Sequence, residues 1–158
     1  QRQAAAGDHQ SDNDNNSIGS VSDDYVDMVK PLDILSFKRA GIQDGVFKKF
    51  RLGKYSIDGR LDLHRRTVVE ARQEVFSFIS EATACDARCL LILHGKGERN
   101  VNQQAKLKSF AAKWLKEIPQ VMAYHSAQKH HGGTGALYVL LKKSERLKEK
   151  NRERLGRS

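Results

Sequence analysis

The stretch RLDLHRRTVVEA, residues 60–71, decides how this chain folds. Leu61 and Leu63 alternate with Asp62 and His64, the two-residue period of a strand. Thr67 and Glu70 then form the S/T-x-x-E box that opens a helix. Val68, Ala71, Val75, Phe78, Ile79 and Ala82 continue at helical spacing, so the sequence predicts a strand running directly into an amphipathic helix. At the junction stand an acid, an imidazole and two arginines, which packing alone does not require.

Downstream, CLLILH (89–94) is a short continuous apolar run suited to a strand covered on both faces. It stops abruptly at HGKGERN. Leu107, Phe110, Ala111, Trp114, Leu115 and Ile118 mark a second amphipathic helix, closed by Pro119. Residues 121–126 and 136–141 read as two further strands around a glycine-rich turn. The order β-α-β-α-β-β predicts an α/β two-layer sandwich with a four-stranded mixed sheet. Its first three strands run parallel through crossover helices, and the fourth is antiparallel to its neighbour.

Upstream, GVFKKFRLGKYSIDG suggests a short helix near 46–52 ended by Gly53. Residues 1–24 are rich in Asp, Asn, Ser and Gln, with too little apolar surface to offset ordering entropy, and are expected to be a disordered acidic tail. The implied organisation is that tail, a lead-in segment at 25–59, a domain at 60–141 and a basic helix or tail at 142–158. Gln1 in place of a methionine suggests a trimmed or partial chain. Cys85 and Cys89 are too few for a disulfide framework and lack the second pair of a zinc ribbon, which fits a reducing, cytoplasmic setting. No apolar run approaches the ~18 residues of a membrane span.

The formal net charge of +9 is unevenly distributed. Residues 1–24 hold one Arg against five Asp, whereas 142–158 hold eight Lys and Arg against three Glu. A basic domain attracts polyanions, nucleic acid foremost.

Ligands of open α/β sheets bind beyond the carboxyl ends of the parallel strands. His64, His94 and His125 each end a predicted strand, and Gln128, Lys129, His130 and His131 follow the third. Any one of these alone fits a solvated loop residue; three converging strand ends suggest a site. In HGKG, Gly95 and Gly97 would let the backbone approach an anion at a helix start, with Lys96 and Arg99 beside it. The spacing matches neither a P-loop nor a dinucleotide fingerprint. Arg65 and Arg66 precede the Thr67 cap, where a cation is disfavoured by ~0.3–1 kcal/mol unless a phosphate binds.

LDLHRRT, HGKG and GGTGALYVLL, in this order and spacing, resemble the Smr (small MutS-related) domain over residues 60–141. KKFRLGKYSIDGRLDLH is similar to the lead-in of stand-alone proteobacterial members. The resemblance implies a β-α-β-α-β-β layered fold, like the C-terminal domain of a bacterial translation initiation factor, and cleavage or binding of nucleic acid. The family's LDLHG motif falls on Leu61, Asp62, Leu63 and His64, its Gly-x-Gly on Gly95 and Gly97, and its glycine-rich turn on Gly132, Gly133 and Gly135. One position departs: Arg65 stands where the family usually has Gly. A positive φ there would cost about 1–2 kcal/mol.

The expected function is therefore endonucleolytic hydrolysis of DNA or RNA phosphodiester bonds. His64 would be the general acid or base, Asp62 its orienter or a substrate contact, and His94 a second imidazole. Arg65, Arg66, Gly95, Lys96, Gly97, Arg99, His125, Lys129 and His130 would hold phosphate. The alternatives are a non-catalytic DNA- or RNA-binding module and a metal-dependent hydrolase using Asp62, His64, His94 and His125. The last lacks a compact ligand signature, and a divalent metal is compatible rather than demanded. Expected partners are nucleic acid, with a ribosome or repair complex as recruiter, for a monomer without membrane association.

Overall fold

Residues 26–95 and 101–156 are described by the computed structural model. The acidic tail read at 1–24 lies outside them, as do Lys96, Gly97 and Arg99. Nine elements follow in order: β1 (Ser36–Lys38), α1 (Asp44–Arg51), β2 (Gly59–Asp62), α2 (Val68–Ala84), β3 (Cys89–Leu93), α3 (Val101–Glu117), β4 (Val121–Ser126), β5 (Ala136–Leu141) and α4 (Glu145–Gly156), with 3-10 turns at Lys129–His131 and Gly133–Gly135.

The strand-to-helix reading of 60–71 holds, except that β2 ends at Asp62 rather than His64 and a short turn separates it from α2. At the α2 N-terminus the Glu70 amide donates to Thr67 Oγ1 at 3.1 Å and the Thr67 amide donates to Glu70 Oε1 at 2.9 Å. Ala71, Val75, Ile79 and Ala82 are buried along one stripe of α2. They meet Leu107, Phe110, Ala111, Trp114, Leu115 and Ile118 of the α3 side over Leu90 and Ile92 of β3.

The mixed sheet has five strands in the order β1-β4-β5-β3-β2, one more than the sequence predicts. β2 and β3 are parallel neighbours, and β5 is antiparallel to both β3 and β4, so β4 runs parallel to β3 without touching it. The extra strand, β1, pairs with β4 over three residues. All of β5 is buried, as a strand between two others and between two apolar layers must be.

The second layer comes from the lead-in. Phe50 of α1 packs with Cys89, Leu91, Ala123, Ala136, Tyr138 and Leu140 on the face opposite α2 and α3. This explains the unbroken apolar run of β3: alternate residues serve different cores. Residues 26–35 are tied to α3, where the Val29 amide donates to Ser109 Oγ at 2.9 Å, and to the end of β4, where the Leu35 amide donates to Ser126 Oγ at 2.8 Å. Lys108, 1% exposed, donates to the carbonyls of Pro31 and Asp33. Following β5, α4 leaves the sheet at the end opposite the carboxyl ends of β2 and β3, and Arg146 forms an ion pair with Asp86.

Candidate active site

Asp62 is the last residue of β2, and the Leu63 amide donates to Leu93 O at 2.8 Å, so the ends of β2 and β3 are stitched together. Leu63 itself is fully buried and anchors the turn. Asp62 Oδ1 accepts from the His64 amide at 2.9 Å and contacts His64 Nδ1 at 2.6 Å. Both side chains are about half exposed, 58% and 51%.

Asp62 feels burial, which raises its pKa; the His64 amide, the His64 ring and the Arg66 charge outweigh it and hold the carboxyl below its usual range. An ionised carboxylate only accepts hydrogen bonds. Its contact therefore assigns the proton of a neutral His64 ring to Nδ1 and leaves the Nε2 lone pair facing outward.

Arg65 adopts φ 65°. The left-handed conformation that the resemblance implied for the family's glycine is thus held here by a side chain, at a steric cost of about 1–2 kcal/mol. Arg65 is exposed and has no ion pair among the described residues. Arg66 instead donates to Glu74 Oε2 at 2.6 Å, about two turns into α2, which reduces its availability to a ligand.

His94 follows β3 but is fully buried. Nδ1 meets Gly95 O at 3.1 Å, and Nε2 has no partner among the described residues. Burial, assisted by the Lys108 charge and, more weakly, by His64, pushes its pKa down to about 3 against the Gly95 carbonyl, which raises it. It is a buried, neutral ring, not a surface group. The His94 and Gly95 amides both converge on Gly135 O, at 3.0 and 2.9 Å, tying this loop to the glycine-rich turn. Gly95 takes φ 98°.

His125 lies on β4, two strands from β3, with Nδ1 on Ser126 O at 2.7 Å and its ring edge-on to Phe47. The structure therefore does not bring it to Asp62 through any observed contact. Lys129 and His130 are exposed on the 3-10 turn after β4. Among the described residues no group of three or more His, Cys, Asp or Glu is placed to hold a metal ion.

Sequence reasoning named His131 only as one of the residues that follow the third strand, gave it no role, and passed over Tyr138. His131 Nδ1 lies 2.6 Å from Tyr138 Oη, and the rings pack edge to face. Tyr138 looks like one more core residue of an apolar strand. Only the adjacent HHGG, a pair of imidazoles before flexible backbone, signalled that the turn carries chemistry.

The motifs and the fold now meet. The Smr domain model matches residues 61–142. The chain belongs to the Smr domain family. This Smr chain is 43% identical over 130 residues to "Probable DNA endonuclease SmrA" of Escherichia coli strain K12, covering 82% of this chain and 70% of that protein. It is 34% identical over 124 residues to "Ribosome rescue factor SmrB" of Escherichia coli O157:H7, covering 78% of this chain and 64% of that protein, just under two thirds. The solved structure of YdaL, a stand-alone small MutS-related protein from Escherichia coli, superposes with a TM-score of 0.71 at 42% identity, covering 78% of this chain and 94% of that one. Among the described residues no helix is long and apolar enough to cross a membrane.

Proposed function

We propose that this Smr chain is a nucleic-acid endonuclease that hydrolyses phosphodiester bonds. The observation that carries the proposal is the Asp62–His64 pair, 2.6 Å apart and half exposed at the joined ends of two parallel strands. Asp62 fixes the ring so that Nε2 can take a proton from an attacking water; the water oxygen bonds to phosphorus as the bond from phosphorus to the leaving oxygen breaks, and that oxygen takes up a proton from solvent or from the His64 imidazolium. Arg65, Lys129 and His130 supply positive charge or donors to the phosphate, and Gly95 with Lys96, Gly97 and Arg99 completes the anion-holding set. The name of the relative SmrA, a probable DNA endonuclease, supports this reading, and that of SmrB, a ribosome rescue factor, makes a ribosome a candidate recruiter.

Incubating the purified chain with labelled RNA and DNA, with and without a chelator, tests the proposal. Cleavage of either substrate is expected, and cleavage that survives chelation assigns the chemistry to side chains. Tight binding without cleavage of any substrate would instead support a binding module, a reading favoured by Arg65 in place of the family's glycine.

A further inference from the structure

Two rows of residues cross the α1 face of the sheet. Arg60, Leu91 and Tyr138 align in one, and Asp62, Leu93 and Ala136 in the next, nearer the ends of β2 and β3. The turn after β4 folds onto the second row. Gly132, at φ 117°, sits so close that a Cβ there would lie 2.9 Å from Ala136 Cβ and 3.4 Å from Leu93 Cδ2. This contact brings His131 to the edge that ends in Asp62. Burial, the neighbouring His130 and the Arg60 charge all lower the His131 pKa, so the ring is neutral under ordinary conditions.

Tyr138 is fully buried, and its hydroxyl has two neighbours. The Gln128 amide donates to Oη at 3.2 Å, and His131 Nδ1 lies 2.6 Å away. An amide N–H can only donate, so the phenol accepts there and its single proton goes to Nδ1. The reverse arrangement would leave a buried phenolic proton without an acceptor, which is costly. With Nδ1 accepting, the ring proton of His131 sits on Nε2, which has no partner among the described residues. His64 is the opposite case: its Nδ1 donates and its Nε2 carries the lone pair.

We propose that His131 is a second imidazole of the cleavage site, a neutral Nε2–H donor to a phosphate oxygen, with Tyr138 as the positioning residue that fixes its tautomer. The inference rests on the endonuclease reading and adds to it a division of labour: His64 accepts a proton, and His131 donates a hydrogen bond to developing charge. A donor aimed at such charge contributes about 10²–10³ in rate.

Nitrogen-15 NMR of the full chain reads both tautomers without requiring activity. His131 should be protonated at Nε2 and His64 at Nδ1, and Tyr138→Phe should release the His131 preference. A His131 ring protonated at Nδ1 overturns the assignment. Single-turnover cleavage of a labelled single-stranded oligonucleotide tests the role. A glutamine amide nitrogen reaches near the Nε2 position and an asparagine nitrogen near Nδ1. His131→Gln should therefore stay within about tenfold of wild type, while His131→Asn and His131→Ala lose about 10²-fold. The opposite ranking, Asn above Gln, would mean that His131 only braces Tyr138. If the wild-type chain binds the oligonucleotide but does not cleave it, the endonuclease reading fails by itself. In that case the His131 Nε2–H resonance decides: a shift on adding the oligonucleotide upholds the donor, and an unmoved resonance overturns it.

Discussion

Arg65, at φ 65°, is held in a conformation that costs an L side chain about 1–2 kcal/mol. Arg65→Gly should therefore leave the fold intact and raise stability by up to about 1 kcal/mol, after the extra freedom of glycine in the unfolded chain is deducted. Urea midpoints measure this; a lower midpoint would show that the arginine side chain stabilises its own turn. His94 gives a residue-scale prediction in pH. Its native pKa of about 3 lies below the ordinary 6.5, so the unfolded chain binds a proton that the folded chain refuses. This contribution is whole above pH 6.5 and is lost as pH falls toward 3, at up to ~1.4 kcal/mol per pH unit. His94→Leu should flatten that part of the stability profile between pH 6.5 and 4, and identical profiles would contradict the assignment. The Asp-x-His pair was legible from sequence because a charge-bearing dipeptide step interrupts a core strand. The burial of His94 was not, since a histidine ending an apolar run reads the same whether its ring turns inward or outward. Tyr138 was hidden for the converse reason, its hydroxyl being the only polar atom in a buried strand side chain.

Elements of regular pattern were read correctly, as was the short helix α1, expected at 46–52 and found at Asp44–Arg51, but the three-residue β1 was not. The α2 capping box and the stripes of α2 and α3 are local features, so the sequence shows them directly. β1 has three residues, SFK, too few for any alternation to register, and exists because β4 offers a free edge. The insertion of β5 between β3 and β4 is likewise invisible, since chain order says nothing about which parallel strands touch. The strap at 26–35 depends on α3 through Lys108, whose burial lowers its pKa while Asp33 raises it. Lys108→Met keeps the aliphatic stem but removes the donors to Pro31 and Asp33. Hydrogen exchange of the Val29 and Leu35 amides should accelerate at least about fivefold, as a loss of ~1 kcal/mol implies, while β3 and β5 amides stay protected. Unchanged strap exchange would mean that Ser109 and Ser126 suffice to hold it.

At the scale of the whole molecule, the fold separates two tasks. The joined ends of β2 and β3, with the turn after β4, gather His64, His94 and His131 toward one end of the sheet, and α4, with five Lys and Arg against three Glu, departs from the other. Net charge serves attraction to a polyanion, whereas a single imidazole serves proton transfer, so binding and cleavage depend on different residues. The measurement that tests this most directly is paired single-turnover cleavage and equilibrium binding of one labelled nucleic acid by wild type and His64→Ala. Removing a proton-transfer group should slow cleavage about 10²–10⁴-fold and leave affinity within a factor of about two, because a neutral imidazole contributes little to phosphate attraction. Cleavage by His64→Ala at the wild-type rate would contradict the account.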